Sequence, residues 1–182
     1  MERIFTLCDV LDYPTVDYDA DGLGAGVRGD ARVINARRSN AGQIKIQFNP
    51  FRGSGSVVDP DGNPFQGMAE NRDREKGRTN EDFFANAKAQ AWWALRRRFQ
   101  FTYRAVIEGL PYNKDDIISI SSTIPEYRKL IIELSQPTYS QNSVGKIVVD
   151  KMPDGTRSPN LADSVMIAFA PIKKKSGGFF SD

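Results

Sequence analysis

Three aspartates sit two residues apart at Asp17, Asp19 and Asp21, and glycines follow at Gly22, Gly24 and Gly26. Thr15 to Asp19 is rich in β-branched and aromatic residues and reads as a short strand, so Asp17 and Asp19 share one face. A carboxylate at the C-terminal end of a strand, opening into a glycine turn, stands where α/β folds place ligand sites. The plainer alternative is a solvated Asp-x-Asp turn. The glycines also admit a phosphate cradle. Their Gly-x-Gly-x-Gly spacing departs from the dinucleotide fingerprint, however, and the three acids would repel a pyrophosphate. Acids beside exposed amides suit a divalent metal together with a phosphate. A fourth acid, Asp163, lies within Ser158-Pro-Asn-Leu-Ala-Asp-Ser-Val-Met-Ile-Ala-Phe169, a helix apolar on almost every side. It shares a stripe with Asn160, Met166 and Ile167. An unpaired buried carboxylate costs several kcal/mol, so Asp163 must face a partner, a cation or a water-filled pocket. The plainer alternative is a gain of ~0.3–1 kcal/mol from the helix N-terminus.

Absences narrow the chemistry further. The 182 residues include no histidine and one cysteine, Cys8. Ser-His-Asp triads, histidine zinc sites, thiolate zinc sites and intrachain disulfides are excluded. A lone cysteine fits a reducing cytoplasm. The net charge is +2, so nucleic-acid contact must come from local basic patches. With 40% hydrophobic and 26% charged residues the chain is ordinary globular material, of a length that suits one domain. No apolar run approaches 18 residues, so no membrane partner is expected.

The elements that would position these acids follow from periodicity. Glu2 to Leu11 reads as an amphipathic helix that stops before Pro14. After the strand and glycine turn, a helix is predicted over about 25–38 and a second strand over Gln43 to Phe48. A strand–helix–strand series of this length predicts parallel pairing. Residues 49–79 are polar, aperiodic and rich in Gly, Pro, Asp and Asn, which marks a functional or disordered loop. One long helix is predicted from Glu81 to Glu108, capped by Thr79 or Asn80. Trp92 and Trp93 ride its apolar side as core, and at least one of Arg96, Arg97 and Arg98 is expected to pair with an acid. A short helix over 125–132, a hairpin over 134–150 and a final helix with Ser158 as N-cap complete the chain. The segment 172–182, with Lys173-Lys-Lys175 and Phe179-Phe180, reads as a flexible or partner-docking tail.

Val16-Asp-Tyr-Asp-Ala-Asp-Gly-Leu-Gly-Ala-Gly-Val27, Phe84-Ala-Asn-Ala-Lys-Ala-Gln-Ala-Trp-Trp-Ala-Leu-Arg-Arg-Arg-Phe99 and the Ser158 to Phe169 helix occur in this order. Together they resemble the C-terminal nuclease domain of tailed-phage terminase large subunits. The resemblance implies an α/β, RNase H-like fold, a mixed sheet flanked by helices, over residues 1–171. It implies a metal-dependent endodeoxyribonuclease that cuts concatemeric viral DNA during packaging, in the host cytoplasm, with two Mg²⁺ or Mn²⁺ ions about 4 Å apart. Asp19 and Asp163 match the family's metal-binding catalytic acids, and Asp21 is a further ligand or supporting group. Asn160 stands where some relatives carry a histidine; it can orient a water but cannot act as a base. The portal protein and the small terminase subunit are the implied partners besides double-stranded DNA.

Family domains open with a strand carrying a first metal-binding aspartate. This chain starts at the following helix, so a domain truncated at its N-terminus, with weak metal affinity, is expected. No Gly-x-x-x-x-Gly-Lys-Ser/Thr loop appears either. Lys146, Lys151 and Arg157 flank the Asp163 helix and are the candidate phosphate contacts. The rival functional readings are a non-catalytic remnant that binds DNA or a packaging partner, and a nucleotide-binding module built on Gly22, Gly24 and Gly26.

Overall fold

The computed structural model describes residues 1–21, 26–65 and 77–172. Its elements run α1 (Glu2–Leu11), β1 (Thr15–Asp19), α2 (Val27–Asn40), β2 (Gln47–Phe51), α3 (Asn80–Phe83), α4 (Ala87–Ile107), α5 (Tyr127–Ser135), β3 (Thr138–Gln141), β4 (Ile147–Asp150) and α6 (Asn160–Ala168). A 3-10 turn at Lys114–Asp116 precedes α5. Gly22, Gly24 and the expected tail beyond Ile172 lie outside the described residues. No helix among the described residues is long and apolar enough to cross a membrane.

β1 and β2 pair in parallel, Thr15 opposite Gln47 and Asp19 opposite Phe51, as the strand–helix–strand series predicts. β3 and β4 pair antiparallel. The α/β class holds, but the expected single mixed sheet is replaced, among the described residues, by two separate two-stranded sheets. The hairpin packs on α4 instead of extending the first sheet. A small core of Phe5, Cys8, Ala31, Ile34 and Ile46 joins α1 and α2 to Val16 and Phe48 of the parallel pair. A larger core gathers around α4. Trp92, Trp93 and Leu95 meet Phe83, Phe84, Leu130, Ile147, Val149, Ala162 and Met166 there.

Three of the boundaries that differ from the sequence reading have a visible cause. The second strand begins at Gln47 rather than Gln43, because Asn35 of α2 holds Ile46 by both backbone groups, Asn35 Nδ2 donating to its carbonyl (2.8 Å) and Asn35 Oδ1 accepting from its N–H (3.0 Å). The predicted Glu81–Glu108 helix is two helices. Thr79 and Asp82 form a capping box that starts α3, and Asn86 caps α4 through Ala89 N–H. Between them Phe84 forms a β-bridge with Ile147, and Ala85 N–H donates to Ile147 O at 3.0 Å. The hairpin starts at Thr138, because α5 continues through Leu134 and Ser135.

The loop after β2 is ordered over residues 52–65 by side chains standing in for strand partners. Buried Gln90 accepts from Val58 N–H at 2.7 Å and donates to Val58 O at 2.8 Å. Asn80 donates to Asp59 O at 2.7 Å, and Val57 and Pro64 are buried against the core. Over residues 52–65 the polar composition therefore marks backbone that is satisfied by amide side chains; residues 66–76 of the expected loop lie outside the described residues.

Both tryptophans are buried, and the arginine triplet fans out over aromatic rings. Arg96 lies 4.8 Å from the Trp93 centroid, Arg97 5.5 Å from Phe101 and Arg98 4.8 Å from Phe169. Burial pulls the Arg97 guanidinium below its ordinary pKa, and the charge of Asp116 offsets part of that. Cation–π contact is the usual resort of a guanidinium on an aromatic face.

Gln90→Ala leaves Val58 N–H without its acceptor and Val58 O with only the long 3.5 Å bond from Asn80, and should lower the unfolding free energy by on the order of 1–3 kcal/mol, read by urea titration. The Arg38–Asp9 pair, in which Asp9 is exposed and the Arg38 side chain largely covered, gives a pH test. Arg38 donates to both Asp9 oxygens, and this hydrogen bonding holds Asp9 below the usual carboxylate range. A lowered folded-state pKa stabilises above the unfolded value of about 3.9 and is lost as pH falls through the lowered value. Asp9→Asn should therefore reduce the urea midpoint at neutral pH and flatten its decline below about pH 4.

Candidate metal and nuclease site

β1 delivers the first acids. Its exposed face carries Thr15, Asp17 and Asp19, while Val16 and Tyr18 turn toward the core. Asp17 accepts from the cross-strand Asn49 side chain at 2.8 Å. Asp19, at the strand's C-terminal end, is exposed and accepts from the Asp21 backbone N–H at 3.0 Å. Asp21 turns away to the neighbouring loop. Its Oδ2 accepts from Ser54 N–H at 3.0 Å and its Oδ1 from Ser54 Oγ at 3.1 Å. A Cβ at Gly53 would lie 3.2 Å from the Lys88 Cβ and 3.4 Å from Asp21 Oδ2. Glycine there lets the loop close on Asp21, which works as a clamp between the end of β1 and the segment after β2.

α6 delivers Asp163 and packs against β1, α4 and α5. Its inner face buries Ala162 and Met166, and Asp163 is 13% exposed. The expected Ser158 cap is not formed: Pro159 occupies the N-cap position and offers no side-chain acceptor. Glu133 of α5, buried at 7% exposure, accepts instead from the Leu161 and Ala162 N–H groups. Sequence reasoning missed this residue. The available signal was a glutamate on the apolar stripe of a short helix, between Leu130 and Leu134.

The Lys151 ammonium, at the end of β4, donates to Asp163 Oδ2 in a half-buried ion pair. Asp163 Oδ1 is buried and has no hydrogen-bond partner among the described residues. A carboxylate oxygen in that state lacks a hydrogen-bond donor, and a hard divalent cation can take up its lone pair instead. Lys151 thus meets the candidate acid rather than standing free beside it as a phosphate contact. Lys146 is half-buried, and its charge helps lower the pKa of Asp82, behind the Thr79 hydrogen bonds. Arg157 and Asn160 are exposed on either side of the α6 N-terminus. No group of three or more Asp, Glu, His or Cys side chains that could hold an ion occurs among the described residues. Asp19 and Asp163 lie on packed neighbouring elements, β1 and α6. An apolar groove of about 700 Å³ between α4, α5 and the hairpin, lined by Trp93, Phe99, Tyr103, Leu134 and Tyr139, contains none of these acids.

No family model matches the chain, and no curated protein matches it by sequence. Solved structures do. The nuclease domain of the large terminase subunit gp2 of bacterial virus Sf6 aligns at 31% identity and a TM-score of 0.73, over 92% of this chain and 69% of that one. A lysine-to-alanine mutant of that domain, solved with manganese and beta-thujaplicinol, aligns at 32% identity and a TM-score of 0.72, over 92% and 69% of the two chains. A mutant form solved with calcium aligns at 30% identity and a TM-score of 0.69, over the same shares. Identity at this level across most of both chains, with the acids on packed neighbouring elements, places the sequence: it belongs to the family of bacteriophage terminase large-subunit nuclease domains.

Proposed function

We propose that the chain is a metal-dependent endodeoxyribonuclease of RNase H-like fold that cuts concatemeric viral DNA during packaging inside the host cell. Its family membership and the manganese bound by a relative support this reading. The observation that carries it is Asp163: a buried carboxylate with Oδ1 unpartnered among the described residues and Oδ2 on a lysine. Asp19 and Asp163 would hold Mg²⁺ or Mn²⁺, with Asp21 shaping the loop beside them. Two such ions activate a water and stabilise the leaving oxygen of a phosphodiester. Lys146 and Arg157 bind DNA phosphates, which orients the duplex without reading its bases. Asn160, exposed on the first turn of α6, orients a water through its amide. Lys151 balances the Asp163 charge and lies close enough to turn to a phosphate once that charge is met otherwise. Portal protein and small terminase subunit are the packaging partners of this reading.

A second reading is a non-catalytic domain that only binds DNA or a packaging partner. It is favoured by the Lys151 pairing and by the lack of a three-acid cluster among the described residues. Cleavage of supercoiled plasmid with Mn²⁺ separates the two. Asp19→Ala and Asp163→Ala should each slow cleavage by about 100-fold or more, the loss expected when several kcal/mol of charge stabilisation are removed. Circular dichroism should show both variants folded. Undiminished cutting by both removes the site assignment, and DNA binding with no cutting by the parent chain selects the second reading. Lys151→Ala should lower the Kd for Mn²⁺ measured by calorimetry, because an ammonium and a dication compete for the same carboxylate.

A further inference from the structure

Lys151 and Asp163 sit at opposite ends of the stretch 151–163, and besides their own ion pair and a turn at Pro153–Thr156 its backbone is held from α5. Pro159 caps α6 with no side-chain acceptor, and the first turn of a helix carries backbone N–H groups without intrahelical partners. Two of them, on Leu161 and Ala162, reach one oxygen, Glu133 Oε2, at 2.7 and 3.1 Å. Ala162 is fully buried and Glu133 nearly so, so water does not replace these bonds. Glutamate is almost never buried without a partner. Among the described residues the one cation within 4 Å, Lys129, is 61% exposed and 4.0 Å away, which leaves the helix N-terminus as the main partner. Three residues on, the Gln136 side-chain amide donates to Lys151 O at 2.7 Å and to Arg157 O at 2.8 Å. One end of α5 therefore grips the backbone at Lys151 itself and at the residue immediately before Asp163.

We propose that Glu133 and Gln136 are positioning residues of the Asp163 site, setting the carboxylate of α6 and the ammonium of Lys151 in one fixed relation. This rests on the reading of Asp163 as a metal-binding acid. Neither residue touches a reacting atom; each acts through backbone. Glu133 fixes the first turn of α6, which determines where the Asp163 carboxylate points. Gln136 fixes the exit of β4, which determines how far the Lys151 ammonium reaches. Supporting groups of this kind govern metal affinity through ligand placement.

The test is Mn²⁺ titration by calorimetry, with melting temperatures measured in parallel, on the parent chain and on Glu133→Ala, Glu133→Gln, Gln136→Ala and Leu130→Ala. Leu130 is a buried residue of the same helix whose side chain forms no hydrogen bond, so it controls for plain destabilisation. Glu133→Ala and Gln136→Ala should each change the Kd for Mn²⁺ by about tenfold or more. Glu133→Gln keeps an oxygen acceptor for both N–H groups and should return the Kd close to that of the parent. Leu130→Ala should lower the melting temperature without moving the Kd. Should Glu133→Ala fail to fold, Gln136→Ala carries the same measurement. A parent Kd retained in the Glu133 and Gln136 variants, or a shift of equal size in Leu130→Ala, overturns the positioning role. A parent chain that binds no Mn²⁺ overturns the metal reading and this inference with it, so the two failures are told apart by the parent titration.

Discussion

A carboxylate on an apolar helix has to be met by positive charge, and the architecture around α6 is arranged to meet this one. Asp163 follows a fully buried alanine and keeps 13% of its own side-chain surface. Lys151 supplies the counter-charge from the end of β4. A half-buried pair of this kind yields little net stability, because desolvation offsets most of the attraction. The pair also ties the antiparallel hairpin to the last helix, so two elements far apart in the chain share one electrostatic fixture. The second oxygen of Asp163, buried and unpartnered among the described residues, is where that fixture remains chemically incomplete.

α4 is the mechanical centre that lets the fixture exist. Its buried face collects the two tryptophans and Leu95, and Phe83 and Phe84 stack edge-on with each other and with Trp93. The cationic side of the same helix is kept in order by rings: Arg96 on Trp93 and Tyr139, and Arg98 on Phe169 at the end of α6. Planar guanidinium groups can be retained against an aromatic core in this way while their N–H groups reach carbonyls, as Arg98 does with Ile117 O at 3.1 Å. The helix that anchors the hydrophobic interior thus also orients α6.

Local periodicity was enough to read α1, β1, the parallel pairing of β1 with β2, and the helix around Asp163. Each rests on residues close together in sequence. Asp19 at a strand end and Asp163 on an apolar helix were legible as chemical anomalies for the same reason. What stayed hidden depended on distant partners. Nothing near Val58 announces that Gln90 will complete its hydrogen bonds, and nothing near Ser158 announces that Glu133 will take over the cap. The split between α3 and α4 turned on Asn86, whose capping value competes with a helical pattern that runs straight through it. The shift of β2 turned on Asn35, eleven residues earlier. Gln90, Glu133 and Asn35 each satisfied backbone across a gap that propensity and period cannot see, whereas Asn86 acts only three residues away, on Ala89.

The Gln136 amide has one more consequence. By holding the carbonyls of Lys151 and Arg157 on a single nitrogen, it closes residues 152–156 into an appendix with its own internal turn, Thr156 N–H donating to Pro153 O at 3.0 Å. An appendix sealed at its root can change size with little penalty, since doubling a loop adds only about 0.6 kcal/mol of closure entropy. Related chains are thus free to lengthen, shorten or recolour this tip, and with it whatever the tip brushes against, while the root beneath keeps its shape.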